Sequence, residues 1–417
     1  MGIIHKALKI RIYPNKEQEI AIKKTIGCAR FIYNHMLAER IEAYQKLKNK
    51  TKELFEYKYK TEAQYKKEFD FLKEADSQGL QQSKNDLSVA YQNFFRSLSG
   101  KRKGTSGFPK FHKKGRKDSY RTNITNNNIQ IDYPTQKVRL PKFGWMSYRD
   151  CRNYSGKMKS ATISRTKTGK YFVSLLFEQE LELQGIELTS NLKTKGLDMS
   201  MSNFFVDDQG NSPAYERLFR TNELKIAELQ RKVSKKKLGS NKRKKVQHRV
   251  NVVYETIANK RKDFTHKLST KLVKEYDVIV VENLNLKAMA QCLNLGKSVN
   301  DLGYGMFLQQ LQYKTLWNNK ILIEADKWFA SSKTCSKCGF KHSKLQLQDR
   351  IFNCPSCGFE IDRDTNAGIN LKNYGIKELI GLVQPEFKPA ENTTYTYTGS
   401  KQVGSMKREA AKSLVSQ

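Results

Sequence analysis

The sequence predicts an α+β chain of several domains, and three patterns carry that prediction. Short alternating runs near the N-terminus and over residues 120–180 read as strands. Long charged stretches with apolar residues at helical spacing read as helices. Two Cys-x-x-Cys pairs near the C-terminus read as a small metal-stapled module. At 417 residues the chain has room for two or three domains with sizeable cores.

Lys6 to Tyr13 alternates apolar and charged residues (Leu8, Ile10, Ile12) and reaches Pro14-Asn15, a strand ending in a turn. From Glu17 to about Glu74 the period becomes helical, with Ile20, Ile22, Ile26, Phe31, Met36, Ile41 and Tyr44 recurring. A second helix is expected from Leu87 to Leu98. Lys101–Lys117 breaks regular structure with Gly and Pro and sets Phe108 and Phe111 among basic residues. Those rings either stack on nucleic-acid bases or anchor the loop. Ser160–Ser164 and Tyr171–Phe177 read as paired strands across Lys167-Thr168-Gly169.

A new domain is expected near Thr194. Gly196-Leu197-Asp198 reads as a strand end, and Asn203–Gly210 as the next strand with its turn. About sixty residues of charged helix follow, with Val246, Val250, Val253, Ile257, Phe264 and Leu268 along one face. The segment Ser234–Lys245, rich in Lys, Ser and Gly, splits this stretch into a helical hairpin. Val278–Val281 is β-branched throughout, the mark of a parallel strand covered on both faces. Met306–Trp317 reads as an amphipathic helix and Trp328–Ala330 as a short strand leading to the cysteines. The polar, Thr/Ser/Lys-rich end reads as a disordered tail.

Lys and Arg number 77 against 41 Asp and Glu, a net charge of +36. Such a chain repels itself until a polyanion neutralises it, and phosphate backbones are the expected partner. A membrane is not expected: no amphipathic anchor stands out, no stretch is apolar enough to span a bilayer, and the N-terminus has no signal-peptide run. Seven cysteines, an odd number, argue against a disulfide framework and for a reducing, cytoplasmic setting, nucleoid-associated if DNA is the partner.

Cys335-x-x-Cys338 and Cys354-x-x-Cys357 have the spacing of a zinc ribbon. Four thiolates complete a tetrahedral Zn2+ site and leave no open position, so the expected role is structural. Gly339 and Gly358 follow the second cysteine of each pair, where a knuckle turn favours a residue without Cβ.

Three acids stand at the ends of expected elements: Asp198, Glu282 after Val278–Val281, and Asp364 in a loop opening a helix. Carboxylates brought to one sheet edge suit Mg2+-dependent phosphodiester cleavage. Alone, each reads as a cap or turn residue, and Asp207, Asp208 and Asp362 compete for the role. Arg231, Lys232, Lys235, Lys236, Lys237, Lys242, Arg243, Lys244 and Lys245 are too dense, with too few acids, for an ordinary solvated helix face, and read as a nucleic-acid contact.

Taken in order, Gly196-Leu-Asp198, Val280-Val-Glu282-Asn-Leu-Asn285, Thr334-Cys-Ser-Lys-Cys-Gly339 and Asp362-Arg-Asp364-Thr-Asn366-Ala resemble the TnpB/OrfB family of insertion-sequence proteins. Tyr13-Pro-Asn-Lys-Glu-Gln18, Gly27-Cys-Ala-Arg30-Phe-Ile-Tyr33-Asn34, Pro141-Lys-Phe-Gly144-Trp145, Arg261-Lys-Asp-Phe-Thr-His266 and Tyr304-Gly-Met-Phe also fit, so the likeness spans roughly residues 6–375. Compact type V CRISPR effectors are similar.

The resemblance implies a wedge-type β-barrel with an inserted helical recognition domain (1–193, helical part about 15–117). An RNase H-like (RuvC) domain with a helical insert would follow (194–330), then a zinc ribbon (331–360), the third acidic segment (361–380) and the tail (381–417). It also implies a guide RNA from the transposon end and cleavage of double-stranded DNA beside a short transposon-adjacent motif. Asp198, Glu282 and Asp364 would hold Mg2+, or Mn2+ in its place, and the protein would act as a monomer. Alternatives are a nuclease-inactive RNA-guided repressor, disfavoured because all three acids are present, and an accessory transposase.

Overall fold

A computed structural model describes residues 2–102, 104, 106–116, 118–181, 192–292, 296–346 and 348–383. The chain divides into two compact units, Ile3–Glu180 and a second beginning at Leu181.

In the first unit, β1 (Gly2–Tyr13) leads into α1 (Lys16–Leu47). A capping box starts α1: the Gln18 amide donates to Asn15 Oδ1 at 2.8 Å and the Asn15 amide to Gln18 Oε1 at 3.0 Å. Next come α2 (Thr51–Glu56), α3 (Glu62–Glu68), a 3-10 turn (Asp70–Glu74) and α4 (Ser77–Leu98). Six strands complete the unit: β2 (Ser119–Asn123), β3 (Gln130–Asp132), β4 (Lys137–Leu140), β5 (Gly144–Arg149), β6 (Lys157–Arg165) and β7 (Tyr171–Leu181).

The seven strands form one sheet in the order β2-β6-β7-β1-β5-β4-β3. Tyr120 on β2 meets Phe143, in the β4–β5 turn, with ring centroids 6.4 Å apart. Flat strands about 4.8 Å apart would hold those positions several strands away from each other, so the sheet curls around its core. Leu8, Ile10 and Ile12 of β1 fill that core together with Ile22 and Ile26 of α1. A second core joins the helices through Ile32, Met36, Leu37, Leu72, Leu80 and Leu87.

The second unit contains β8 (Thr194–Asp198), β9 (Val206–Asp207), α5 (Leu218–Ser234), α6 (Asn241–Glu275), β10 (Val278–Val281), α7 (Leu286–Cys292), α8 (Gly296–Leu302), α9 (Tyr304–Trp317) and β11 (Ile321–Glu324). After a 3-10 turn (Ser331–Lys333) come β12 (Ile351–Asn353), β13 (Glu360–Asp362) and α10 (Arg363–Val383). Its main sheet runs β11-β10-β8-β9, with β10 parallel to both β8 and β11 and β9 antiparallel to β8.

All four residues of β10 are buried, and their period of two divides them between two cores. Ile279 and Val281 pack with Phe204, Tyr304, Phe307 and Leu311. Val278 and Val280 pack with Ile321, Ile323, Leu371 and Leu379. The β-branched run is therefore a parallel strand covered on both faces, as its composition predicts.

Several sequence expectations need correction. The helical stretch expected over Glu17–Glu74 is divided: α1 ends at Leu47, α2 resumes at Thr51, a second capping box at Thr61/Gln64 starts α3, and a 3-10 turn completes the stretch. α4 begins at Ser77 rather than Leu87, with Asp76 as its N-cap. Trp328–Ala330 forms no strand; the strand before the cysteines is β11, which pairs with β10 from Val278↔Ile321 to Val281↔Glu324. The hairpin turn is shorter than Ser234–Lys245, because α6 already starts at Asn241. Within Asn203–Gly210 only Val206–Asp207 is strand. The expected tail from 381 begins inside α10, which reaches Val383, and otherwise lies outside the described residues.

Candidate active site

Strand register places the first two acids. Leu197 pairs with Val281 in the parallel β8–β10 ladder, so Asp198 and Glu282 come next at the same end of adjacent strands. Neighbouring strands lie about 4.8 Å apart, which brings two carboxylates together unless a partner intervenes.

Asp364 arrives from α10. Residues i and i+2 share one face of a strand, and residues i and i+4 share one face of a helix. Gly196 therefore shares a face with Asp198, and Gly368 shares a face with Asp364. A Cβ built on Gly196 would strike the Gly368 carbonyl oxygen, and one on Gly368 would lie 2.8 Å from the Asp207 carbonyl carbon. Asp364, one helical turn before Gly368, lies close enough for its charge to act on both Asp198 and Glu282. Farther along α10, Gly375 accepts the side chain of Val280, two residues before Glu282.

The cluster is electrostatically uncomfortable without a cation. Asp198 is 9% exposed. Burial first, then the Glu282 and Asp364 charges, push its carboxyl up to about 9. Burial also raises Glu282, against hydrogen bonds from Ser331 and Asp198 that favour its charged form. Ser331 Oγ donates to Glu282 Oε1 at 2.8 Å.

The competing acids have other partners. Asp207 and Asp208 pair with buried Lys195 at 2.8 and 3.0 Å, and Lys372 adds to Asp208 at 3.0 Å. Asp362 caps α10, accepting from the Thr365 amide at 2.8 Å and its hydroxyl at 2.9 Å.

Among the described residues, Cys335, Cys338, Cys354 and Cys357 are the one group of three or more His, Cys, Asp or Glu whose ligand atoms all lie within 4.8 Å of one another. The three acids do not draw in that far. Carboxylates divided between two cations about 3.5–4 Å apart need not do so.

Cys335 Sγ lies 3.8 Å from Cys357 Sγ, and Cys338 Sγ lies 3.6 Å from Cys354 Sγ. Tetrahedral zinc with bonds near 2.3 Å separates its sulfurs by about 3.8 Å. The two knuckles repeat one another. Gly339 and Gly358 donate to the carbonyls of Cys335 and Cys354, both at 2.9 Å, and both glycines have positive φ, +79° and +65°. The donor set and its spacing fit zinc.

The ribbon is fastened to α10. Asn366 Nδ2 donates to the Thr334 carbonyl at 2.7 Å, and the Ser336 amide donates to Asn366 Oδ1 at 3.0 Å. Asn370 Nδ2 donates to the carbonyls of Ser331 and Thr334 at 2.7 and 2.6 Å. One chain of contacts thus runs from the knuckle through α10 to Ser331 and on to Glu282. Sequence reasoning missed Ser331, Asn370, the clamping role of Asn366 and the glycine contact. Gly368 and Gly375, spaced inside a helix pattern, were the readable signal of close approach.

The expected basic contact residues lie on the α5–α6 hairpin. Arg231 and Lys232 end α5, Lys235–Lys237 form the turn, and Lys242–Lys245 open α6. Lys232 pairs with Glu228. Arg243 Nη1 donates to the carbonyls of Val233 and Lys236 at 2.8 and 3.0 Å, so its guanidinium closes the hairpin. In the other unit, Phe108 packs edge-on against Tyr91 and Phe94, with centroids 5.6 and 5.4 Å away, which favours its loop-anchoring role.

Comparison with known proteins finds similar families, relatives and solved structures. Family models match residues 1–50 (helix-turn-helix domain), 178–293 (probable transposase) and 304–371 (Cas12f1-like, TNB domain). Over residues 1–50 the structure holds a strand followed by one unbroken helix, α1, rather than two helices. The chain is 30% identical over 392 residues to "Putative RNA-guided DNA endonuclease InsQ" of Escherichia coli (strain K12), covering 89% of this chain and 92% of the relative. It is 31% identical over 379 residues to a protein of Streptomyces pristinaespiralis named "Putative RNA-guided DNA endonuclease", covering 90% of each. Among solved structures, a Cas12f1–sgRNA–target DNA complex has a similar fold, with TM-score 0.51 and 13% identity over 89% of this chain and 99% of that one.

Proposed function

The chain belongs to the TnpB/OrfB family of insertion-sequence proteins, and from that membership we propose that it is an RNA-guided DNA endonuclease. Its second unit acts as an RuvC-type, RNase H-like nuclease, and the curled sheet with its helices serves as the wedge and recognition region. The observation that carries the reading is the convergence of Asp198 and Glu282 at adjacent parallel strand ends, with Asp364, on a helix packed against β8 through Gly196 and Gly368, near enough for its charge to act on both.

Asp198, Glu282 and Asp364 would hold Mg2+ or Mn2+. Their hard oxygen donors suit these ions, and the upward push on Asp198 is the strain a divalent cation relieves. When bound, the metal activates water and neutralises charge on the scissile phosphate. Ser331 fixes one Glu282 oxygen and so orients the other. Burial of Asp198 keeps bulk water from competing for the carboxylates. Cys335, Cys338, Cys354 and Cys357 hold Zn2+ as a structural staple. The lysines of the α5–α6 hairpin lie along phosphates of the guide–target duplex. The guide derives from the transposon end, the target carries a short adjacent motif, and the protein works as a monomer in the cytoplasm, on the nucleoid. Among the described residues no helix is long and apolar enough to cross a membrane.

The test is expression beside the transposon-end DNA, purification with co-bound RNA, and cleavage of a guide-matched plasmid library with a randomised flank. Mg2+-dependent cuts beside one motif, lost in Asp198→Ala, are expected. Target binding without cutting would favour the repressor. Absence of bound RNA would return the accessory-transposase reading.

A further inference from the structure

Trp328 is 81% exposed, a large ring left in water on a loop that is otherwise firmly held. The loop begins at the active-site end of the sheet, where the Ala325 amide donates to the Val281 carbonyl at 2.8 Å, one residue before Glu282. It ends at Ser331, whose hydroxyl holds Glu282 at 2.8 Å. Both ends are therefore fastened around the same acid. Between them the Asp326 amide donates to Tyr374 Oη at 3.3 Å, and the amides of Trp328 and Phe329 donate to Asp326 at 2.8 and 3.0 Å. The ring of Phe329 packs inward on Tyr374, with centroids 4.8 Å apart, while its neighbour Trp328 faces solvent.

Three residues of extended chain reach about 10 Å, so the Trp328 backbone stands within that distance of the Ser331 backbone. Lys327 Nζ lies 4.6 Å from the indole centroid. A flat π-face beside an ammonium, on a loop whose backbone is already ordered, is the recognition chemistry of an unpaired nucleotide: the ring takes the base and the lysine its phosphate. A base inside a duplex offers no free face to such a ring.

We propose that Trp328 is a stacking platform for an unpaired base of the DNA strand entering the Asp198–Glu282–Asp364 site. The strand's identity rests on the nuclease reading above; the stacking does not. The site holds the base close to the acids and so fixes which phosphodiester bond is presented to them.

The test pairs removal of the ring with removal of the base. The full-length Asp198→Asn protein, zinc-loaded and with whatever RNA it carries, is titrated in buffer without Mg2+ or Mn2+ with a six-thymidine DNA and with an all-abasic hexamer. The same titrations are repeated with Trp328→Phe and Trp328→Ala added. The thymidine strand should bind roughly tenfold or more tighter than the abasic strand. Trp328→Ala should abolish that preference, and Trp328→Phe should keep most of it. In the cleavage-competent, guide-loaded protein, Trp328→Ala should raise the target concentration needed for half-maximal cutting or shift the cut position. An unchanged thymidine preference in Trp328→Ala overturns the proposal, even where guided cleavage is normal. A Trp328-dependent preference in a protein that never cleaves supports the stacking site and sinks the nuclease reading instead.

Discussion

Gly196 on β8 and Gly368 on α10 meet with no side chain between them. That contact lets the backbone of α10 lie directly against the sheet. It joins an acid at a strand end to an acid in the first turn of a helix more than 160 residues later in the chain.

Gly368→Ala would gain about 1 kcal/mol of helix propensity. Its Cβ would lie 2.8–2.9 Å from the backbone of Asp207 and Asp208, and overpacking of that kind costs about 1–3 kcal/mol. The net effect expected is a lower thermal midpoint, with cleavage falling further than stability because Asp364 is displaced. Gly27→Ala in α1 is the control: no atom lies within 4 Å of its Cβ, so the midpoint should rise or hold.

Ser331→Ala removes a hydrogen bond to a carboxylate, an interaction of about 1.5–3 kcal/mol. Glu282 should then take up its proton more readily, moving the acid limb of the pH–cleavage profile to higher pH. Ser331→Thr should restore the wild-type limb. A profile that falls in height without moving would mean that Ser331 acts only through the fold.

Zinc removal should act at a distance. The four cysteines order the loop that Asn366 and Asn370 clamp, and Ser331 lies in the same segment. Cys335→Ser or a strong chelator should raise hydrogen exchange over residues 331–360 and at the start of α10, with loss of cleavage. Re-adding Mg2+ alone should not rescue it; Zn2+ with Mg2+ should.

Asp198 supplies a pH signature of the Mg2+-free protein. Its folded pKa lies above its unfolded one, so its stabilising contribution is full below about pH 4 and is lost as pH rises toward 9. Asp198→Asn should therefore stabilise the zinc-loaded protein in Mg2+-free buffer at pH 8 by at least about 1.4 kcal/mol, what one pH unit is worth. At pH 4 the advantage should nearly vanish. Equal midpoint shifts at both pH values would contradict this environment for Asp198.

The basic hairpin separates two roles. Replacing Lys235, Lys236 and Lys237 with Gln should flatten the slope of log affinity against log salt by about 0.7–0.9 for each phosphate that the protein no longer neutralises. Arg243→Gln should mainly lower hairpin stability, because its guanidinium is bonded to the carbonyls of Val233 and Lys236.

Much of the site was legible because it depends on local pattern. The β-branched run of β10, the acids at strand ends and the knuckle spacing each carry their own chemistry. What was missed depends on tertiary contact. Nothing local to Gly196 reveals that Gly368 will cover it, and no spacing rule links Ser331 to Glu282. Ile321–Glu324 was overlooked because four apolar-rich residues after a helix carry little periodicity, whereas Trp328 and Phe329 imitate a strand through composition alone. The breaks after Leu47 and after Glu56 contain neither Gly nor Pro, although Thr61 and Gln64 announce the start of α3. Asp362 and Asp364 differ in the fold by a cap: one is held by Thr365 and the other faces Asp198.

That last distinction offers the most direct test. Guide-loaded protein should be assayed for Mg2+-dependent cleavage of a matched plasmid with Asp364→Asn and with Asp362→Asn. Loss of cutting by about a thousandfold or more in Asp364→Asn is expected, with target binding retained. Asp362→Asn should keep the helix cap, since Asn caps about as well as Asp, and continue to cut. Cleavage that survives Asp364→Asn, or that disappears only in Asp362→Asn, would contradict a site built from Asp198, Glu282 and Asp364.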